Sequence, residues 1–314
     1  MLWDDRIGRR LRLKDFHTLQ TIAEAGSMAK AANLLAMSQP AISKAIADME
    51  HVLGASLLER SSRGVELTES GRILVARGRV IFDEVREGLK DIAAVADPTQ
   101  GDLRIGIADV LTVVVAEIIA DLSSKYPRVT YQVTINDADT TLRQLRAREL
   151  DVVLTRWNPA TTPDDLSFEI LFHSPLAVLA NKSHPLAKRK KLNLKDLMGE
   201  QWTLSRPDSY LGRFVADIFR RKKLQLPSSI VTANSIHMRV NLLALGNFIS
   251  VLPTTILRHP GNSAWLRALD VNLNEAGPIA AITLKKRRPA GALKLFQETS
   301  RRVSKTIAAS LGQS

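Results

Sequence analysis

The amino-acid sequence predicts an α+β multidomain protein with an N-terminal winged helix-turn-helix, a long helix and a C-terminal α/β part. Three observations support this fold class. Short helical patterns fill the first 70 residues, one uninterrupted helical pattern covers residues 69–95, and strands alternate with helices from Leu103 onward. A chain of 314 residues is also too long for one ordinary core. We therefore expect domains at residues 1–68, 69–97 and 98–314.

Two serines mark helix starts in the N-terminal segment. Ser27 follows Gly26, which is expected to end a first helix, and Ser38 follows a short turn at Ala36–Met37. Serine is a favoured N-cap, and Pro40 is tolerated in a first helical turn because its missing N–H would be unpaired there. Two short helices joined by a tight turn, with the second one capped, predict a helix-turn-helix.

The third helix is expected to face DNA with its first turns. Ile42, Ile46 and Met49 form one apolar stripe, which leaves the polar residues on the other face. Serine and glutamine pair with base edges, and lysine pairs with phosphate or guanine. The alternative is an ordinary helical bundle with a solvated polar face. The candidate residues for binding double-stranded DNA in this helix-turn-helix are Ser27, Ser38, Gln39, Pro40, Ser43 and Lys44.

Residues 57–68 contain two short apolar runs around Ser-Ser-Arg-Gly, which predicts a small hairpin, or wing. Arg60 and Arg63 lie in this wing, where they are candidates for contacts with the DNA backbone or minor groove.

The helical pattern over residues 69–95 has one apolar stripe, formed by Ile81, Val85, Leu89 and Ile92. An isolated amphipathic helix must bury such a stripe, and a second copy of the chain is the simplest partner. Asp-Pro-Thr-Gln-Gly at residues 97–101 predicts a hinge after this helix.

The remainder of the chain alternates between strand and helix patterns, which predicts an α/β architecture. The predicted strands are Leu103–Ile107, Tyr131–Ile135, Asp151–Thr155, Leu176–Asn181, Ile230–Thr232, Phe248–Leu252 and Ile279–Leu284.

The net charge of +12 does not itself indicate nucleic-acid binding. Residues 1–97 contain 14 basic and 14 acidic residues, whereas the remainder contains 30 and 18. The basic runs at 188–191, 220–223 and 285–288 are interpreted as solvated faces. No apolar stretch suits a membrane span or signal peptide, so we expect a cytoplasmic protein that does not contact a membrane.

The residue inventory favours neither catalysis nor metal binding. There are no cysteines, which excludes disulfides and thiolate ligands. The six histidines are scattered, and HExxH, GxSxG and a phosphate-binding glycine loop are all absent. We predict no enzyme activity, cofactor or metal. A secreted solute-binding protein, an enzyme and a scaffold are the alternatives, and a duplex-binding assay separates them from a DNA-binding regulator.

The N-terminal motifs resemble those of LysR-type transcriptional regulators over residues 25–71. Leu58 departs from the phenylalanine that is frequent in the family, and replaces one apolar wing residue with another. The matching features are Ala31-Ala32, Ser38-Gln39-Pro40-Ala41, Ser43, Glu50, Leu53-Gly54, Arg60, Arg63 and Leu67-Thr68-Glu69 followed by Gly71.

The resemblance continues along the chain, although Asn247-Phe248 replaces a usually Gly-rich turn. It implies dimerisation through the long helix, assembly into a homotetramer, and contact with RNA polymerase where the protein activates. It also implies an effector domain of two α/β lobes, like a periplasmic binding protein. The supporting landmarks are Leu103-Arg104-Ile105-Gly106, Tyr126-Pro127, Glu149-Leu150-Asp151 and Val251-Leu252-Pro253.

Two such lobes leave a cleft in which a small-molecule effector binds, beyond the carboxyl ends of strands and beside helix N-termini. Helix N-termini favour anions, whereas Asp109 and Asp137 can accept hydrogen bonds from hydroxyls, so an organic acid or a sugar is expected. Arg156-Trp157 either lines the cleft or serves as a surface or hinge segment. The candidate effector residues are Asp109, Val110, Leu111, Thr112, Asn136, Asp137, Arg206, Tyr210, Leu211, Asn234, Ser235 and Ile236.

Overall fold

The computed structural model describes residues 10–61, 64–97, 99–227, 230–285, 287 and 291–311. The chain forms two compact units, one within residues 1–89 and the other within residues 90–314. Each unit is described separately below.

The N-terminal unit has three short helices followed by a hairpin. The helices are α1 (Leu13–Ala25), α2 (Met28–Leu34) and α3 (Gln39–Leu53), and the antiparallel strands are β1 (Leu58–Ser61) and β2 (Gly64–Leu67). The predicted winged helix-turn-helix is therefore present. Its core contains Leu19, Ile22, Ala31, Ala32, Ile42, Ile46, Met49, Leu57 and Val75.

The helix ends follow the local sequence. Gly26 and Gly54 adopt left-handed φ values of 62° and 65°, which favour glycine and end α1 and α3. The Ser27 side chain accepts a hydrogen bond from the Lys30 N–H, and Ser38 Oγ accepts one from the Ala41 N–H at 3.3 Å. The turn between α2 and α3 is thus set by caps that the sequence itself supplies.

Glu50 holds the start of the wing. Its Oε1 accepts hydrogen bonds from the N–H groups of Leu57 and Leu58 at 2.7 and 3.3 Å. On the other strand, the Val65 N–H donates to the carbonyl of Gly26 at 3.2 Å, at the turn that ends α1. The wing is therefore fixed to both α1 and α3.

The long helix α4 covers Glu69–Ala96. Its apolar stripe is exposed towards the C-terminal end: Val85 is 45% exposed, Leu89 63% and Ile92 70%. An exposed stripe of this kind is available for contact with another chain. Among the described residues, no helix has the length and apolar character needed to cross a bilayer.

The C-terminal unit is an α/β domain of two lobes, as expected. Its helices are α5 (Thr112–Lys125), α6 (Ala138–Arg146), α7 (Tyr210–Arg221), α8 (Ile236–Ala244), α9 (Pro260–Trp265) and α10 (Gly291–Ser310). Its strands are β3 (Gln100–Ile107), β4 (Arg128–Ile135), β5 (Val152–Arg156), β6 (Leu166–Asn181), β7 (Gln201–Leu204), β8 (Ile230–Thr232), β9 (Phe248–Pro253), β10 (Leu266–Ala268) and β11 (Ala276–Leu284).

Strand β6 passes from one lobe to the other. Its first part pairs antiparallel with β11, and its second part pairs with β9 and β10. The strand order is β4-β3-β5-β11-β6-β9-β7-β8, with β10 on β6. Parallel strands β3, β4 and β5 build the first lobe, while β7, β8 and β9 build the second. Strands β7 and β10 and the first half of β6 were not predicted from sequence.

A buried carboxylate joins the end of α4 to the first lobe. Asp151 Oδ1 lies 2.6 Å from Arg104 Nη2 and 2.7 Å from Arg287 Nη2. Lys90, on α4, lies 2.9 Å from Asp102 and 3.9 Å from Asp151. Burial raises the pKa of Asp151, but the Arg104 hydrogen bonds and the nearby cations more than offset this and hold it below its ordinary value.

Candidate DNA-binding surface and effector cleft

The predicted DNA-facing residues of α3 share one exposed surface. Ser38, Gln39, Pro40, Ser43 and Lys44 are all exposed. The stripe of Ile42, Ile46 and Met49 on the opposite face is at most 4% exposed. The helix therefore presents hydrogen-bonding groups outward from a packed base, as a helix in the major groove requires.

The remaining predicted DNA-binding residues have other positions. Ser27 is half-buried and caps α2. Arg60 lies on strand β1, and its side chain is not described. Arg63 lies outside the described residues.

A groove of about 540 Å³ lies beside α3 and contains basic residues that the sequence analysis missed. Arg10 and Arg12, which precede α1, and Lys14, in its first turn, line it together with Lys44. The groove also contains Asp15, whose carboxylate accepts a hydrogen bond from the Arg12 N–H at 2.8 Å. The alternating Arg-Leu-Arg-Leu-Lys run at 10–14 was the available signal. Four cations along a groove suit phosphate contacts.

A cavity of about 360 Å³ lies between the two lobes of the C-terminal unit. It is formed by the carboxyl ends of strands, where ligands bind in open α/β sheets. Its walls are Ala108, Asp109, Val110, Ile135, Asn136, Asp137, Ala138, Thr155, Arg156, Ser205, Ser209, Leu211, Asn234, Ser235 and Arg239.

Three helix N-termini open onto this cavity. Asp137 caps α6 by accepting from the Thr140 N–H at 2.9 Å, Ser209 caps α7, and Ser235 caps α8. Each terminus carries backbone N–H groups that have no partner within the helix backbone, and a partial positive charge.

Seven of the twelve predicted effector residues line the cavity: Asp109, Val110, Asn136, Asp137, Leu211, Asn234 and Ser235. Four others do not. Leu111 is fully buried in the core of the first lobe, and Ile236 is only 7% exposed. The Thr112 hydroxyl donates to the carbonyl of Asp109. Arg206 forms an exposed ion pair with Asp208. Tyr210 begins α7, and its side chain is not described.

Two of these four residues, Leu111 and Arg206, show why strand ends predict cavity residues incompletely. A residue beside a strand end faces the cleft or the core according to the local turn, and the sequence does not fix that direction. The turn at 109–111 is a short 3-10 helix, which sends Leu111 inward. The guanidinium of Arg206 donates to the carboxylate of Asp208, two residues further on, and this ion pair keeps Arg206 at the surface.

Both aspartates on the cavity wall already accept hydrogen bonds. Asp109 Oδ2 accepts from the backbone N–H of Ile236 at 2.6 Å, which links the two lobes. Asp137 accepts from both the N–H and the hydroxyl of Thr140, and the backbone hydrogen bond lowers its pKa despite the opposing effect of burial. The lobes are linked again away from the cavity, where Arg258 Nε and Nη2 donate to Glu117 at 3.0 and 2.9 Å.

The sequence analysis missed Arg239, which lies one turn into α8 and lines the cavity. Its side chain is fully buried, and Nε, Nη1 and Nη2 have no hydrogen-bond partner among the described residues. Burial lowers the pKa of Arg239 to about 10, with partial opposition from the charge of Asp109. The guanidinium therefore stays charged at neutral pH. It is the one Lys, Arg, Asp or Glu within α8, which was the available signal.

Arg156, for which the sequence left two interpretations open, lines the cavity and is 4% exposed. Its Nη2 donates to the carbonyl of Ser174 at 3.1 Å, and its guanidinium carbon lies 5.1 Å from the ring centre of Phe214 in α7. Gly277 leaves space for this side chain, because a Cβ there would lie 1.8 Å from Nη1. Among the described residues, no cluster of three or more His, Asp or Glu side chains could hold a metal ion.

The chain combines a winged helix-turn-helix, a long helix and a two-lobed domain with an interlobe cavity. This combination defines a DNA-binding transcription regulator that carries a ligand-binding domain. Residues 13–72 match the family model of the bacterial regulatory helix-turn-helix protein, lysR family. Residues 96–305 match that of the LysR substrate binding domain. The chain therefore belongs to the LysR family of transcriptional regulators.

Individual relatives agree with this membership. The HTH-type transcriptional regulator CfxR of Cupriavidus necator is 29% identical over 263 residues, which cover 84% of this chain and 82% of CfxR. YybE of Bacillus subtilis is 29% identical over 235 residues, covering 74% and 80% of the two chains. These relatives are transcriptional regulators by name.

Two solved structures share the fold. Full-length CbnR complexed with its target DNA matches at a TM-score of 0.55 and 23% identity, covering 94% of this chain and all of CbnR. An H2O2-bound mutant of OxyR from Corynebacterium glutamicum matches at a TM-score of 0.56 and 23% identity, covering 96% and 98%. At this identity the likeness supports the architecture alone.

Proposed function

We propose that this LysR-type regulator binds a two-fold DNA operator as a dimer, and that a small organic acid or sugar in the interlobe cavity controls this binding. Dimers assemble into a tetramer, and the complex contacts RNA polymerase at promoters that it activates. The regulator acts in the cytoplasm, where its operator lies, and it is not an enzyme and uses no cofactor.

The observation that carries the proposal is the outward face of α3. Gln39 and Ser43 are one helical turn apart on an exposed surface, with Lys44 at its border. Gln39 is assigned to base reading, and Lys44 to a phosphate or guanine. Arg10, Arg12 and Lys14 extend the basic surface along the adjacent groove, where the sugar-phosphate backbone would run.

The exposed stripe of α4 supports the dimer. Leu89 and Ile92 are 63% and 70% exposed, and pairing two copies of the helix would remove both from water. A dimer with a two-fold axis matches an operator of two half-sites.

The interlobe cavity supports control by a small molecule. Its volume of about 360 Å³ lies within the range of small-ligand pockets, and its walls combine five apolar residues with ten polar or charged ones. Closure of the lobes around a ligand would change the geometry of the dimer, and so the spacing of its two α3 helices.

The test begins with selection of binding sites from a pool of random DNA duplexes by the purified full-length chain. We expect an enriched sequence with two half-sites related by a two-fold axis. Small acids and sugars are then added to the complex with this operator, and at least one should change its affinity. Recovery of no enriched sequence would overturn the DNA-binding part, and an operator affinity that no compound alters would overturn the control by effector.

A further inference from the structure

Arg239 places a buried positive charge on the cavity wall, and no described residue accepts a hydrogen bond from it. We propose that the effector is a small organic anion, and that its carboxylate or phosphate group is bound by the guanidinium of Arg239. This assignment rests on the proposed function, because it names the chemical class of the ligand in the interlobe cavity.

The hydrogen-bonding groups of the Arg239 guanidinium point to a ligand that supplies acceptors. Its Nε, Nη1 and Nη2 are buried and have no hydrogen-bond partner among the described residues. Buried polar groups are almost always hydrogen-bonded, and a buried charge is disfavoured unless it is paired. A side chain that breaks both rules while lining a cavity is expected to receive its partner from the cavity.

The two aspartates on the cavity wall already accept hydrogen bonds from the protein. Asp109 Oδ2 accepts a hydrogen bond from the Ile236 N–H at 2.6 Å. The charge of Asp109 attracts Arg239, but the two side chains form no hydrogen bond. Both oxygens of Asp137 are occupied by Thr140. The acceptor atoms of these acids are therefore already used by the protein, whereas the N–H groups of Arg239 find no acceptor among the described residues, so the group that is missing is a ligand acceptor.

The position of the Arg239 guanidinium near a helix N-terminus also favours an anion. Arg239 belongs to the first turn and a half of α8, a helix of nine residues whose N-terminus opens onto the cavity. The helix dipole adds positive potential at that end. Arg156 contributes a second guanidinium to the wall from the first lobe. An anion between them would interact with both lobes.

These features favour an anionic ligand over a neutral sugar. Sugar hydroxyls can accept hydrogen bonds from a guanidinium, but they leave its charge uncompensated in a buried site. The planar fork of arginine matches the two oxygens of a carboxylate or phosphate. A ligand that carries hydroxyls besides the anionic group would also suit the polar wall at Ser205, Ser209 and Asn234.

The experiment measures the thermal unfolding midpoint of the full-length chain with single compounds at millimolar concentration. The probes are mono- and dicarboxylates, inorganic phosphate and phosphate monoesters, with glucose and glycerol as neutral probes, all at matched ionic strength. An anion present at about 100 times its dissociation constant should raise the midpoint by roughly 5–10 °C. Comparing the carboxylate and phosphate probes identifies which group is bound.

Arg239→Met tests the residue itself, because methionine keeps much of the side-chain length without the charge. We expect its anion affinity to fall by about 10-fold to 100-fold. Arg220→Met is the matched control, since Arg220 is a surface arginine of α7 paired with Asp217. The control should respond as the wild type does, and it corrects for non-specific stabilisation by salts. If Arg239→Met does not fold, Arg239→Lys should still bind the anion at least about 10-fold more weakly, because the fork is lost.

The outcomes are distinguishable. Stabilisation by neutral probes alone, or by no anion at all, overturns the inference, and so does equal anion affinity in the wild type and the Arg239 variants. An anion that binds through Arg239 but leaves operator affinity unchanged supports the anion site at Arg239 and overturns the proposed control of DNA binding through this cavity. An anion that binds through Arg239 and alters operator affinity supports both.

Discussion

The carboxylate of Asp109, in the first lobe, accepts a hydrogen bond from the backbone N–H of Ile236, in the second lobe, at 2.6 Å. This contact joins the first strand end of one lobe to the start of α8 in the other. It lies on the wall of the interlobe cavity, next to Arg239. The same carboxylate thus links the lobes and acts electrostatically on the buried guanidinium of Arg239.

Removal of this carboxylate should destabilise the C-terminal unit. Asp109→Ala is expected to lower the free energy of unfolding by about 1.5–3 kcal/mol, the usual contribution of a hydrogen bond to a charged group. Asp109→Asn, which keeps an acceptor, should lose less. Denaturant titration measures both, with the exposed Asp139→Ala as the control. An Asp109→Ala variant as stable as the wild type would show that this link does not hold the lobes together.

Asp151 should make stability depend on pH in the acid range. Its pKa is lower in the folded chain than the unfolded value of about 3.9, because the Arg104 hydrogen bonds and neighbouring cations outweigh burial. Its stabilising contribution is therefore fully present above about pH 4 and is lost as the pH falls through the folded pKa.

Asp151→Asn should accordingly be less stable than the wild type by roughly 3–5 kcal/mol at pH 7, because it leaves Arg104 and Arg287 without their counter-charge. The difference should shrink as the pH is lowered. Unfolding followed from pH 7 to pH 2 measures this. Asp102→Asn, which removes an exposed partner of Lys90, should change stability by less than about 1 kcal/mol. A constant difference between wild type and Asp151→Asn at all pH values would contradict the assignment.

The elements predicted best are those fixed by local chemistry. Ser27 and Ser38 cap their helices, and Gly26 and Gly54 end theirs, because these residues act on the backbone within one turn. Strand β7 was missed because its four residues include only two large apolar side chains, Trp202 and Leu204. Its pairing with β8 and β9, far away in sequence, makes it a strand.

The cavity was predicted less completely than the DNA-facing helix. The predicted strand-end loops border the interlobe cavity, where Asp109, Asn136 and Ser235 line its wall. Arg239 was missed because α8 packs against β6 and β7, which are distant in sequence, and a local pattern does not show such packing. The local sequence shows that α8 carries a charge, but it does not show that the described residues offer this charge no hydrogen-bond acceptor.

The exposed stripe of α4 should hold two chains together. Val85→Asp and Leu89→Asp each place a charge on positions that are 45% and 63% exposed in the single chain, so the fold should persist while pairing is lost. Sedimentation at micromolar concentration should show monomers for the double variant and dimers or larger assemblies for the wild type. Asp91→Ser, off the stripe, is the control. A wild-type chain that sediments as a monomer would refute the dimer.

The most direct test of the central claim measures affinity for the selected operator and for a scrambled duplex at several salt concentrations. We predict that the wild type prefers the operator by at least about 10³-fold. Gln39→Ala should lose roughly 1–3 kcal/mol of that preference at one base pair of each half-site. Lys14→Ala should weaken binding to both duplexes alike and reduce the slope of affinity against salt by about one contact. Equal affinity of the wild type for both duplexes, or unchanged preference and salt dependence in both variants, would contradict the assignment of this surface.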